Sequence, residues 1–286
     1  MDQATSLRDE FRESEMSFSI SPNSGGRVYL IASGKGGVGK SLLSVNMAYT
    51  LGSADSPVLL IDADSHGSHL DMMIGSNPSK RLDDVVYGRE SILNVIDRSY
   101  AGVHLIAGAD GFPLDRNFDI EMRRIVCDNM NRFTSEYPFV IIDGGSSELE
   151  NLELFSRIST SIILISTPEL TSITDTYALA KYLIIKLGDD IDIQVIINKS
   201  RNEDESREIA SRLNLMTENF LQQKISYAGS VSSMNEFGES VENQNPAVLS
   251  DKFGVINKMF TKVLENLRKN ERGNIVELEL METTGE

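Results

Sequence analysis

The sequence predicts an α/β fold: a doubly wound, mostly parallel sheet carrying a helical extension at its N-terminus. Three observations lead there. From about residue 27, short continuous apolar runs alternate with stretches of helical spacing, the pattern of parallel strands covered on both faces. Several of these runs end in Asp or Asn, at the strand ends where an open α/β sheet binds its ligands. Between the first run and the first helix lies Gly34-Lys35-Gly36-Gly37-Val38-Gly39-Lys40-Ser41, which satisfies the phosphate-loop pattern G-x-x-x-x-G-K-[ST].

The N-terminus comes first. Residues 1–16 place Ala4, Leu7 and Phe11 on one face of a short helix whose other positions are largely charged. Residues 17–26 are rich in Ser, Gly, Pro and Asn and read as a linker. The main domain is expected over 27–270, with an acidic tail at 271–286.

Within that domain, Val28–Ala32 is the first strand, and Leu43, Met47 and Leu51 give the helix after the loop its apolar face. Gly34, Gly36, Gly37 and Gly39 let backbone amides crowd around a polyphosphate, with Lys35 and Val38 between them, and the helix opening at Leu42 adds positive potential. Lys40 is placed to neutralise phosphate charge and Ser41 to hold Mg2+. The second strand, Val58–Ile61, ends at Asp62-Ala63-Asp64; the third is Val103–Ala107. The fourth, Phe139–Ile142, ends at Asp143-Gly144-Gly145. The fifth, Ser161–Ile165, stops at Thr167-Pro168, before a helix over 171–187; the sixth, Ile193–Ile197, ends at Asn198-Lys199. Carboxylates at strand ends beside a phosphate loop bind Mg2+ directly or through its waters, or orient water. Near the C-terminus, Phe253, Ile256, Phe260, Val263, Leu264 and Leu267 form an apolar stripe flanked by lysines. It fits either a face lying on an anionic bilayer or a last helix packed on the sheet. Beyond it, the alternation of Ile275, Val276, Leu278 and Leu280 with glutamate hints at a short strand.

Composition narrows the function classes. The 286 residues carry a net charge of −16, which disfavours non-specific DNA binding. Cys127 stands alone, which excludes a disulfide framework, and its apolar neighbours Ile125 and Val126 make it a core thiol. No stretch approaches the ~20 apolar residues of a membrane span, and no signal-peptide layout opens the chain, so a cytoplasmic location is expected.

With its second lysine, the Gly34–Ser41 loop resembles the deviant Walker A motif of the MinD/ParA family of dimeric P-loop ATPases. The resemblance implies ATP/ADP and Mg2+ as ligands and an ATP-dependent homodimer, with Lys35 crossing to the partner's phosphates. By the same resemblance Asp64 helps position the attacking water beside Lys35 and Lys40. Asp62 and Asp143 accompany Ser41 at the metal, and Asn198, with Lys199 beside it, meets the adenine. The run Thr167–Leu179 is similar to one typical of the FlhG (YlxH) branch, which controls flagellar number and placement. The opening Asp2-Gln3-Ala4-x-x-Leu7-Arg8 resembles that branch's activator motif. It implies that residues 1–16 stimulate a signal-recognition-particle-type GTPase, FlhF, and that flagellar basal-body components are further partners. This likeness covers about residues 2–267. A ParA-type DNA- or cargo-partitioning ATPase and a septum-site MinD-type ATPase are the alternatives. Peripheral attachment to the inner face of the cell membrane turns on which fate the C-terminal stripe takes.

The chain departs from the family pattern in places. His66 and His69 stand in the first switch loop, three residues apart, and read as polar loop residues rather than a metal pair. The second switch reads Asp143-Gly144-Gly145-Ser146-Ser147, without the usual Ala-Gly after the aspartate, and the expected proline near Val231 is missing.

Overall fold

The computed structural model describes residues 25–64, 70–109, 116–145, 149–188 and 191–283. The activator segment 1–16, most of the linker, His66, His69, Ser146 and Ser147 lie outside the described residues.

The central sheet has eight strands in the order β3-β4-β2-β5-β1-β6-β7-β8. They are β1 (Arg27–Ala32), β2 (Val58–Asp62), β3 (Ile96–Tyr100), β4 (Val103–Ile106), β5 (Phe139–Asp143), β6 (Ser161–Ser166), β7 (Ile193–Ser200) and β8 (Ser226–Ser232). Every pairing is parallel except β3 with β4. The six apolar runs of the sequence are six of these strands, and the expected doubly wound parallel sheet is the fold. β3 and β8 had no comparable signal. Both are edge strands, bonded on one side and rich in small or polar residues (Ile-Asp-Arg-Ser-Tyr and Ser-Tyr-Ala-Gly-Ser-Val-Ser), so neither needs a continuous apolar run.

Side-chain alternation divides the core into two layers. Val28, Leu30, Leu59 and Ile61 face one layer, filled by α4 (Arg116–Asp128), α5 (Met130–Glu136), α6 (Leu149–Arg157), α7 (Leu170–Leu187) and α8 (Glu203–Leu221). Tyr29, Ile31, Val58 and Leu60 face the other layer. There α1 (Lys40–Leu51), α2 (Leu70–Ile74), α9 (Asn235–Glu242), α10 (Ala247–Ser250) and α11 (Val255–Thr283) pack. The short α3 (Leu82–Val86) closes the first layer through Leu82. Cys127 is buried in that layer, as expected of a core thiol. Asn202 caps α8 by accepting from the Glu205 amide at 2.9 Å, with Glu203, Asp204 and Glu205 complementing the helix dipole.

The last helix decides between the two fates of the C-terminal stripe. Ile256, Phe260, Val263, Leu264 and Leu267 are all buried in the second layer, against α1 and β8. An apolar face spent on the core is not free to lie on lipid; Phe253 alone of the stripe is exposed, and it precedes the helix. Asn266 and Asn270 donate to the carbonyls of Ala228 and Tyr227 at 3.0 and 3.2 Å, so the helix is also hydrogen-bonded to β8. The chain past residue 270 does not form the expected strand: α11 runs unbroken to Thr283. Glu and Leu in this stretch are good helix formers, whereas a strand would need a sheet edge to join. Buried Glu271 anchors the helix to β1 through Arg27, at 2.6 Å. Among the described residues no helix is long and apolar enough to cross a membrane.

Candidate functional site

β1 lies between β5 and β6: the chain leaves β1 for β2 on one side and later crosses from β5 to β6 on the other, and this reversal opens a crevice at the carboxyl ends of the strands. The phosphate loop fills that position. Gly37 and Gly39 have φ of +73° and +97°, which L side chains rarely adopt. A Cβ at Gly39 would stand 2.4 Å from Asn198 Nδ2, while nothing lies within 4 Å of one at Gly36 or Gly37. The loop is therefore braced on its inner side and open on its outer side, where a ligand would approach. Gly34 is fixed by a different neighbour: a Cβ there would meet the Asp175 carbonyl of α7 at 2.2 Å.

The brace comes from the end of β7. Asn198 Nδ2 donates to the Val38 carbonyl at 2.7 Å, and the Asn198 side-chain oxygen accepts from the Lys199 amide at 2.9 Å. Lys199 itself has φ +58°, an uncommon conformation for a non-glycine residue. It extends Nζ to the Gly37 carbonyl at 2.8 Å. The residues expected to meet the base thus also hold the loop in shape. Their neighbour across β8 is Val231, paired with Asn198, so the segment lacking the expected proline is strand up to Ser232.

Parallel register brings the aspartates together. Asp143 pairs with Asp62 on one side and with Ile31 on the other, so both carboxylates leave the sheet on the α1 side, level with the end of β1. Both are buried. Asp62 accepts from the amides of Asp64 and Leu70, each at 3.2 Å, and thereby holds both ends of the first switch loop. Asp143 accepts from the Ser41 hydroxyl and feels the Lys40 ammonium, yet burial dominates and pushes its carboxyl up to about 6. One of its oxygens, Oδ1, has no protein partner. Lys40 is buried as well, and desolvation draws its pKa down against the opposing pull of Asp143 and Asp64. Asp64 reaches across to the second switch, its carboxylate lying 2.7–2.9 Å from where a Gly145 Cβ would be. With φ of +66°, Gly145 is suited to glycine twice over, and the Gly-Gly after Asp143 lets the two switches touch.

These features fit a magnesium nucleotide. An orphaned, buried carboxylate oxygen beside a hydroxyl and an ammonium is a partial cation site. Among the described residues no three His, Cys, Asp or Glu side chains converge to complete one. The remaining ligands would have to be phosphate oxygens and water, as Mg2+ at such sites requires. Sequence reasoning missed the partners of Lys35. Its ammonium rests on Glu169 Oε2 at 2.5 Å and Thr171 Oγ1 at 3.0 Å. Glu169 and Thr171 lie in the Thr167–Leu179 run, but 134 and 136 residues from Lys35, a contact no local pattern encodes.

A raised carboxyl has a stability consequence. Unfolded Asp loses its proton near pH 4, whereas native Asp143 keeps it to about 6, so its contribution to stability falls as pH rises between those values. Nucleotide-free Asp143→Asn should match the native chain near pH 4. It should then become the more stable by on the order of 2–4 kcal/mol above pH 6, as thermal or denaturant unfolding across pH would show.

The profile of the CobQ/CobB/MinD/ParA nucleotide binding domain matches residues 29–270. Antiactivator FleN of Pseudomonas aeruginosa is 28% identical over 225 residues, 76% of this chain and 78% of FleN. The flagellum site-determining protein YlxH of Helicobacter pylori is 26% identical over 204 residues, 71% of this chain and 68% of YlxH. The septum site-determining protein MinD from Pyrococcus horikoshii, solved with Mg-ADP, superposes with a TM-score of 0.68 over 85% of this chain and 96% of that one. At 22% identity that likeness concerns the fold alone. Matched over most of its length, and with the phosphate loop and strand-end carboxylates assembled at one crevice, the chain belongs to the CobQ/CobB/MinD/ParA nucleotide-binding family, with the flagellar proteins FleN and YlxH among its relatives.

Proposed function

We propose that this protein is a magnesium-dependent ATPase that dimerises around ATP and regulates flagellar number or placement, with residues 1–16 stimulating an FlhF-type GTPase. The supporting observation is a fully assembled phosphate loop, with Ser41 on Asp143 and Asp64 over Gly145, in a chain resembling FleN and YlxH over about three quarters of its length. A bound Mg2+ would supply charge neutralisation at the phosphate oxygens. Ser41 and the free oxygen of Asp143 would hold it, with Asp62 acting through water, since both Asp62 oxygens already accept backbone amides. Amides of Gly36 to Ser41 cradle the phosphates, Lys40 neutralises their charge, and Asp64 orients the attacking water. Lys35 serves the partner's nucleotide, and Asn198 with Lys199 borders the adenine. Such a protein works in the cytoplasm, where ATP is, with basal-body components as its targets.

The GTPase assay tests the output. The full chain, and a peptide of residues 1–20, should raise the hydrolysis rate of an FlhF-type GTPase, while the chain lacking residues 1–20 should not. Equal rates with and without the segment would refute the activator role.

A further inference from the structure

Asp71 is a buried carboxylate that the nucleotide chemistry does not use. It is the second residue of α2, the helix that begins where the first switch loop ends, and it is 4% exposed. Its Oδ2 accepts from Arg81 Nη2, while its Oδ1 has no hydrogen-bond partner among the described residues. A buried carboxylate is stable only through the charge that pairs with it, so Arg81 secures this end of the switch. Arg81 is itself set against the sheet. Its amide donates to Asp84 Oδ2 at 3.0 Å, and the Leu82 amide donates to the Ala107 carbonyl at 3.0 Å, just past the end of β4.

The far end of α2 is tied to β3. The Tyr100 hydroxyl donates to the Gly75 carbonyl at 2.8 Å, and the Ser76 hydroxyl donates to Asp97 Oδ2 at 2.7 Å. At the near end, the Leu70 amide donates to Asp62 Oδ2 and the Asp64 amide to Asp62 Oδ1, each at 3.2 Å. Two oxygens of one carboxylate therefore hold Leu70 and Asp64 together, and Asp62 cannot rotate to follow a displaced Leu70 without leaving Asp64. Asp64 in turn lies against Gly145 of the second switch. A line of contacts thus runs from Arg81 through Asp71, Leu70 and Asp62 to Asp64. It starts beside β4, which β2 and β5 separate from β1 and its phosphate loop.

We propose that Arg81 is a positioning residue for hydrolysis: by holding Asp71 it fixes α2, and through Asp62 it fixes the carboxylate of Asp64, without touching the nucleotide. This rests on the reading of Asp64 as the residue that orients the attacking water. Without Arg81, Asp71 carries an unpaired charge in a buried place, and α2 relaxes to hydrate it. The Leu70 amide then leaves Asp62, and Asp64 loses the anchor of its own amide. The phosphate loop is outside this line, because its brace comes from Asn198 and Lys199. Turnover therefore depends on Arg81, and nucleotide affinity does not.

The test measures steady-state phosphate release, and the Kd of a non-hydrolysable ATP analogue with Mg2+, for the full chain and for Arg81→Met, Arg81→Lys and Asp64→Ala. Because Arg81→Met strands a buried charge and can unfold the chain, the pair Arg81→Met/Asp71→Leu, which removes both charges together, is measured beside it. Arg81→Met and the paired variant should lower kcat by about 10- to 100-fold, the cost of a small misplacement at the reacting centre. The Kd should stay within about threefold of the unaltered chain. Arg81→Lys, which keeps a charge for Asp71, should fall between. On an Asp64→Ala background the Arg81 substitution should lower kcat no further, because both act through one group. A folded paired variant with unaltered kcat overturns the proposal. So does a rise in Kd that matches the fall in kcat, or a full further loss on top of Asp64→Ala. If Asp64→Ala itself turns over at the unaltered rate, the reading of Asp64 falls, and the line from Arg81 with it. An effect of Asp64→Ala without one of Arg81→Met/Asp71→Leu sinks the role of Arg81 alone.

Discussion

Replacing Lys40 with alanine is expected to remove nucleotide binding almost entirely. Lys40 is buried beside Asp143 and Asp64, where its ammonium is the local counter-charge and where water can scarcely replace it. Truncating one partner of a buried charge pair costs about 2–5 kcal/mol, which corresponds to roughly 30- to 4000-fold in Kd. A phosphate brought to this site in the variant would face two carboxylates with their compensating charge gone. Fluorescent ATP titration or calorimetry with Mg2+ checks this. A Kd within a factor of about three of the unaltered chain would mean that the loop is not the nucleotide site. Lys40→Arg should not rescue, because a forked guanidinium does not fit a space built for a compact ammonium.

Asp64→Ala should separate binding from turnover. Asp64 is not part of the loop; it reaches the second switch at Gly145 and carries negative charge toward the phosphates. Its loss leaves Lys40, Ser41 and the loop amides in place, so ATP affinity should hold or rise slightly. Hydrolysis should fall by about 10²–10⁴-fold, the usual contribution of a positioned acid–base group. The variant should then accumulate as an ATP-bound dimer. Steady-state phosphate release and light scattering read the two effects separately, and turnover at the unaltered rate would exclude Asp64 from the chemistry. The Gly-Gly of the second switch sharpens this test. Gly145 makes room for Asp64 without a methyl group between the switches, so any side chain there should impair turnover as well.

The fold was largely legible because its signals are local. Continuous β-branched runs as short as Val58–Ile61 and Ser161–Ile165, bounded by turn residues, read as strands buried on both faces. The glycines of the phosphate loop record a backbone conformation, and Gly37 and Gly39 indeed have positive φ. What stayed hidden falls into two kinds. Edge strands β3 and β8 are half-solvated and carry no apolar run to detect. The C-terminal stripe had the right residues but two physically sound destinations, and only the presence of a β8 edge and of α1 to cover settled that it faces the core.

The same division applies to the site. By itself the sequence determined which chemical groups are present: the loop with its two lysines, Ser41, and aspartates at strand ends, each announced by spacing along the chain. Only the tertiary structure decided how those groups are partnered. Parallel register set Asp62 beside Asp143, burial pushed Asp143 to about 6, Asn198 closed against Gly39, and Lys35 came to rest on Glu169. Those outcomes depend on the distance between residues far apart in sequence and on the water excluded between them. Neither quantity exists until the strands have found their order.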